Sequence, residues 1–162
     1  MTHARASALI ALLSLKPHPE GGYYREVFRS SRMVTAEPSF GQRSAITTIY
    51  FLILGDEPSR WHRVLSDEIW HFIEGSPAEL FTVDPIRLEM EQHILGPPKP
   101  GEQPAVVVPA GHWQSARTHG EYMLAACTVG PGFDFSDFQL LRDDPALAER
   151  FRRSFPELAD LV

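Results

Sequence analysis

Glycine and proline punctuate this chain at short intervals, and the runs between them are rich in β-branched and aromatic residues. Pro17, Pro19, Gly21 and Gly22 interrupt the chain early, the stretch 55–59 turns it again, and GPPKPGEQP (96–104) separates its middle from its C-terminal third. Such breaks bound strands. The pattern predicts strands over 23–34, 44–54, 60–64, 67–74, 78–83, 87–95, 105–108, 114–117 and 121–129, with a loop at 37–42. Many short strands with no helices between them define an all-β antiparallel sandwich or barrel and argue against an alternating α/β fold. Helical periodicity is confined to the ends. Leu9, Leu12 and Leu13 form an apolar stripe within 8–15, and Leu147, Phe151 and Phe155 recur at four-residue spacing after a cap at Asp143 or Asp144.

A chain of 162 residues fits one domain. The expected layout is an N-terminal helix over 1–16, a barrel over 20–140 and a helical tail over 144–162. Fifteen Lys and Arg against twenty-one Asp and Glu leave a formal charge of −6, and no basic run is interleaved with aromatics, which excludes nucleic acid as the expected partner. No stretch has the length of a membrane span, and ALIALLSL is too short and too weakly basic upstream for a signal peptide. Cys127 is the single cysteine, so no intrachain disulfide forms; a cytoplasmic location is expected.

WHRVLSDEIWHFIEG, from Trp61 to Gly75, carries the chemistry. It reads as two strands across a tight turn, with His62 and Val64 on one face of the first and Glu68, Trp70 and Phe72 on one face of the second. An imidazole and a carboxylate converging inside a barrel can bind a metal or move protons. An apolar lining of Trp70 and Phe72 would raise the pKa of Glu68. His71 falls on the opposite face. His112 follows Pro109, Ala110 and Gly111 and belongs either to the turn or to the cavity. His3, His18, His93 and His119 have no partner spacing and are read as solvated. In PEGGYYRE, Tyr23 and Arg25 share one face and Tyr24 and Glu26 the other; the pair Tyr23 and Arg25 is taken as ligand-binding, Arg offering a fork of donors and Tyr a stacking surface. Cys127 is read as a buried inert thiol, and the glycines and phenylalanines of GPGFDFSDF as structural.

The same residues resemble the cupin superfamily. His62, Glu68 and Gly75 match its first motif, H-x-H-x(3)-E-x(6)-G, with Val64 in place of the second histidine. Pro109 and Gly111 match the start of its second motif, P-x-G-x(2)-H-x(3)-N, with Gln114 for the ligand histidine and Thr118 for the asparagine. PHPEGGYYRE, SDEIWHF, VVPAGHWQSA and CTVGPGFDFSDF are similar to blocks of a cupin branch of unassigned role. The resemblance implies a jelly-roll barrel (a double-stranded β-helix), a small-molecule ligand in its interior, and a homodimer paired through an edge strand. It implies three functions. The first is a metal-independent enzyme of the sugar-epimerase or isomerase kind, in which His62 removes a proton, Glu68 orients it, and Gln114 or Tyr50 stabilises the enolate. The second is a metal-dependent dioxygenase or decarboxylase with His62, Glu68 and Gln114 around Fe, Mn, Ni or Zn. The third is a binding module without catalysis. Arg25, Arg60 or Arg117 pointing inward would favour a nucleotide sugar or an acidic metabolite.

Overall fold

The computed structural model describes residues 4–35 and 41–162. Its elements are α1 (Ala4–Leu12), β1 (Lys16–Pro17), β2 (Tyr23–Arg29), β3 (Met33–Thr35), β4 (Gln42–Ser44), β5 (Thr47–Leu54), β6 (Ser59–Arg63), β7 (Asp67–Gly75), β8 (Ala78–Val83), β9 (Met90–Leu95), β10 (Ala105–Val108), β11 (Trp113–Thr118), β12 (Tyr122–Gly130), β13 (Gln139–Leu140) and α2 (Pro145–Ser154). One sheet runs β1-β2-β5-β12-β7-β10 and the other β13-β6-β11-β8-β9, while β3 and β4 form a separate hairpin. All these pairings are antiparallel, and the crossovers make a jelly roll.

Strand alternation sorts the side chains into three apolar layers. Between the sheets lie Phe51, Ile53, Trp70, Val106, Val108, Met123, Ala125 and Cys127 from the first, and Ala78, Leu80, Leu95 and Ala116 from the second. The outer face of the second sheet buries Trp61, Phe81, Val83 and Trp113 against Phe151 of α2 and Phe155, Leu158 and Leu161 beyond it. The outer face of the first sheet is covered by α1, whose Ala6 and Leu9 meet Leu52 and Leu124, with Tyr23 and Tyr50 packed alongside. Each fully buried large side chain contributes roughly 1.5–3 kcal/mol.

Several expected elements move, each for a local reason. Helix α1 ends at Leu12, short of the end of the helix expected over 1–16, and Ser14 has a positive φ. Leu12 is therefore 73% exposed and outside the docking stripe, which Leu9 and Leu13 form with Ala6. The strand expected at 23–34 divides into β2 and β3, and that at 44–54 into β4 and β5. The strand expected at 87–95 starts only at Met90, because Asp84 caps a turn by accepting from the backbone N–H groups of Ile86 and Arg87, and Leu88 has positive φ. Most of the loop expected at 37–42 lies outside the described residues. At the C-terminus Asp144 is the cap, accepting from the Leu147 N–H at 3.0 Å, with Pro145 in the first turn of α2.

A candidate proton-transfer site inside the barrel

The cavity between the sheets has a volume of about 290 Å³. Strands β6 and β7 face each other across it from opposite sheets, so His62 and Val64 enter from one side and Glu68 and Trp70 from the other. His62, Glu68 and Trp70 thus reach one space, as their alternation requires.

The partner of His62 is Glu20. The turn before β2 brings it there: Gly21 and Gly22 have φ of +108° and +70°, and a Cβ on Gly22 would stand 2.6 Å from the Leu52 carbonyl oxygen, while one on Gly21 would collide with that of Pro58. Only glycines permit that approach. The Arg60 N–H then donates to the Glu20 carbonyl at 2.7 Å and locks the turn onto β6. The Glu20 side chain is buried; its Oε1 accepts from Ser59 Oγ at 2.8 Å, and its Oε2 lies 3.1 Å from His62 Nε2 and 3.3 Å from His18 Nδ1. His18 is also buried, 6% exposed in its side chain, among the rings of Tyr24, Phe51, Phe135 and Phe138. The expectation that it is solvated is wrong, because the PEGG turn folds it inward.

The hydrogen bonds decide where a proton sits. His62 Nδ1 lies 2.8 Å from the Arg60 carbonyl oxygen, which can only accept, so Nδ1 carries a hydrogen. The 3.1 Å contact of Nε2 with a carboxyl oxygen then needs a second proton, shared by His62 and Glu20. Burial alone would push the Glu20 carboxyl up, but the His62 and His18 charges and the hydrogen bonds from His18 and Ser59 more than offset this and hold it below its ordinary value. Burial holds His62 below its ordinary pKa, offset only in part by the Glu20 charge and the hydrogen bond to the Arg60 carbonyl.

Glu68 is poised differently. Burial pushes its carboxyl up to about 7 from an ordinary 4.5, against hydrogen bonds from Gln114 and Cys127, with the charge of Glu20 adding to the rise. Gln114 Nε2 donates to Glu68 Oε2 at 2.6 Å, and Trp70 Nε1 donates to Gln114 Oε1 at 3.0 Å. An indole N–H only donates, so it fixes the orientation of the amide. Gln114 accordingly lies behind Glu68 and off the cavity wall, its side-chain oxygen already engaged. Cys127 lines the cavity beside Glu68, and burial followed by the carboxylate charges pushes its thiol well above its ordinary value. It is a wall, not a nucleophile.

Other expected site residues stand elsewhere. Tyr23 and Tyr50 pack under α1 on the outer face. Arg25 is exposed and donates to the Leu13 carbonyl at 3.1 Å. The opposite phase of β2, Tyr24 and Glu26, lines the cavity, because Tyr24 pairs with Phe51 and Glu26 with Ile49. Arg60 donates to the Asp160 carbonyl and Arg117 to Glu79. His71 is exposed, and His112 is off the cavity wall. His93 and His119 are at the surface beside Glu91 and Glu79. His3 lies outside the described residues. Phe133, Phe135 and Phe138, read as structural, form a wall of the cavity, and Lys16 and Arg29 join them there.

Two facing antiparallel sheets with ionisable side chains converging between them define a jelly-roll barrel of the cupin class. The chain belongs to the Cupin superfamily (DUF985), whose family model matches residues 7–141. It is similar to a hypothetical protein from Leishmania major, at 32% identity over 97% of this chain and 96% of that one, with a TM-score of 0.82. A protein from Shewanella oneidensis is similar at 32% identity over 100% and 96%, with a TM-score of 0.80. Oxalate decarboxylase from Bacillus subtilis shares the fold at 19% identity over 90% of this chain and 36% of that enzyme, with a TM-score of 0.59. No curated protein matches the chain.

Members of the superfamily can hold metals, and Mn(II) centres are described for that decarboxylase. The donor set here does not fit one. Val64 offers no donor, the Gln114 oxygen is taken by Trp70, and the two His62 nitrogens are turned to Arg60 and Glu20. Among the described residues, no group of three or more His, Cys, Asp or Glu is arranged to hold a metal ion. The set His62, Glu68 and Gln114 therefore does not form a ligand sphere for Fe, Mn, Ni or Zn. No described helix is long and apolar enough to cross a membrane.

Proposed function

We propose that the barrel binds a small organic molecule and moves protons on it, as a metal-independent isomerase or epimerase does. The observation that supports this is the placement of two proton-carrying groups, the His62–Glu20 pair and Glu68, on opposite sheets around one cavity. In the proposed step Glu68, as its carboxylate, takes a proton from the carbon beside a carbonyl, and the proton shared by His62 and Glu20 passes to the developing enolate oxygen. Return of a proton to carbon from Glu68 and of the oxygen's proton to the His62–Glu20 pair restores both groups. Glu20 replaces Glu68 as the residue that orients His62.

The experiment is solvent exchange: small hydroxy acids, keto acids and free sugars are incubated with the protein in D2O and followed by proton NMR. Loss of a C–H signal next to a carbonyl, abolished by His62→Ala and by Glu68→Gln, is expected. A compound that binds in the cavity with no exchange would make this a binding module. A cytoplasmic metabolite suits the lone reduced cysteine. A homodimer is part of the same reading, since among the described residues no strand pairs with the outer side of β2 from Arg25 to Arg29, where Val27 and Phe28 are exposed. The molar mass in solution tests it: a monomer at working concentrations removes the dimer.

A further inference from the structure

We infer that the ligand is a compact organic anion with a single charge, held at the rim by Lys16, with its hydroxyl or carbonyl group between His62 and Glu68. This rests on the proton-transfer reading and adds the chemical class of the substrate.

Among the described residues, with the Glu68 carboxyl protonated, the charges around the cavity cancel except at one cation. Arg29 and Glu26 satisfy each other through two hydrogen bonds, at 2.9 and 2.7 Å. Glu20 is occupied by His62, His18 and Ser59. Lys16 lines the same cavity, exposed at its edge, and has no ion pair among the described residues. Its ammonium stands 5.2 Å from the ring centroid of Tyr24, another wall residue, which holds the charge against the rim. An anionic group seated there would meet a cation that no carboxylate among the described residues uses.

The interior dictates the rest of the molecule. Ile49, Phe51, Trp70, Val129 and Phe138 line the space between rim and floor, so the body of the ligand is apolar or presents C–H faces. A second negative charge carried deeper would face Glu68 and Glu20, which selects one anion at the outer end. The volume of about 290 Å³ lies at the bottom of the range of roughly 300–1,000 Å³ usual for ligand sites. A nucleotide sugar does not fit that space. The arginines that would clamp its diphosphate also point away: Arg25 to Leu13, Arg60 to Asp160 and Arg117 to Glu79.

Calorimetry and thermal shift at neutral pH test this with matched probes: mandelate and lactate, their neutral amides mandelamide and lactamide, and UDP-glucose. The acids should bind and raise the melting temperature, the amides bind more weakly, and UDP-glucose leave the protein unchanged. Lys16→Met should weaken acid binding roughly tenfold, the size of one charge-assisted contact, and leave amide binding as it was. Because Lys16 is exposed, this variant should keep the wild-type melting temperature without ligand. Equal binding of acid and amide, full acid affinity in Lys16→Met, preference for UDP-glucose, or no binding by either acid in the millimolar range each overturns the assignment. The two readings fail separately. His62-dependent exchange on a neutral sugar would remove the anion and keep proton transfer, whereas Lys16-dependent acid binding without exchange would do the reverse.

Discussion

Replacing Glu68 by Gln should stabilise the protein by an amount that grows with pH. In the folded chain the Glu68 carboxyl keeps its proton up to about 7, against 4.5 for an ordinary one. Between those values the folded state binds more protons than the unfolded state, so the wild-type unfolding free energy falls as pH rises. The favourable contribution of the neutral acid is complete below 4.5 and lost once pH passes about 7. At about 1.36 kcal/mol per pH unit, the loss across the window is about 3 kcal/mol. Glutamine has nearly the same shape, can accept from Gln114 and never ionises, so it avoids the loss. Urea unfolding of both proteins from pH 4 to pH 9 measures the difference, and the value at the acid end subtracts any packing cost of the substitution. Above pH 8 the variant should have gained about 3 kcal/mol on the wild type, or roughly 6–12 °C in melting temperature for a chain of this size. Other groups that titrate in this window are common to both proteins and cancel to first order. Parallel stability curves would refute the reasoning, because they would mean that Glu68 titrates alike in the folded and unfolded states.

Trp70→Phe should move the Glu68 titration to higher pH. Without the indole N–H the Gln114 amide is free to turn its oxygen toward Glu68, an arrangement that needs a protonated carboxyl; carbon-13 NMR of the Glu68 carboxyl reads the shift, and an unchanged midpoint would show that Trp70 does not set the amide. Asp144→Ala removes the cap of α2 and should cost about 1 kcal/mol in urea unfolding, since α2 lays Phe151 over Trp61 and Trp113. A loss below about 0.3 kcal/mol would mean that the bond to the Leu147 N–H contributes little.

The barrel was legible because its breaks are chemical. Glycine and proline stop strands wherever they fall, and the aromatic and branched runs between them have few other uses. The phase of each element was harder to read. In ALIALLSL nearly every residue is apolar, so the run itself does not say which side docks; Leu9 faces the sheet and Leu12 faces solvent because the helix begins at Ala4 and ends at Leu12. In the first four residues of β2, Tyr23 to Glu26, the two faces each carry one tyrosine and one charged residue, and a shift of one position exchanges them. The pairing of Tyr24 with Phe51, and the cover that α1 places over Tyr23 and Tyr50, decide the matter through residues remote in sequence.

The site shows the same division. His62 and Val64 stand two apart on one strand and Glu68 and Trp70 two apart on the next in sequence, and such local spacing survives folding. Glu20 has no such relation to His62; only the signal in PEGG, two glycines beside a carboxylate, pointed to a backbone pressed against its neighbour. Gln114 was legible as a substitution but not as a role. A metal at the two motifs would require donors where Val64 and Gln114 stand, and its charge would hold Glu68 ionised by lowering its pKa. With an amide beside the carboxyl instead of a cation, the balance reverses and burial raises that pKa. The substitutions that weaken this barrel as a metal site are therefore what leave Glu68 able to hold a proton at neutral pH.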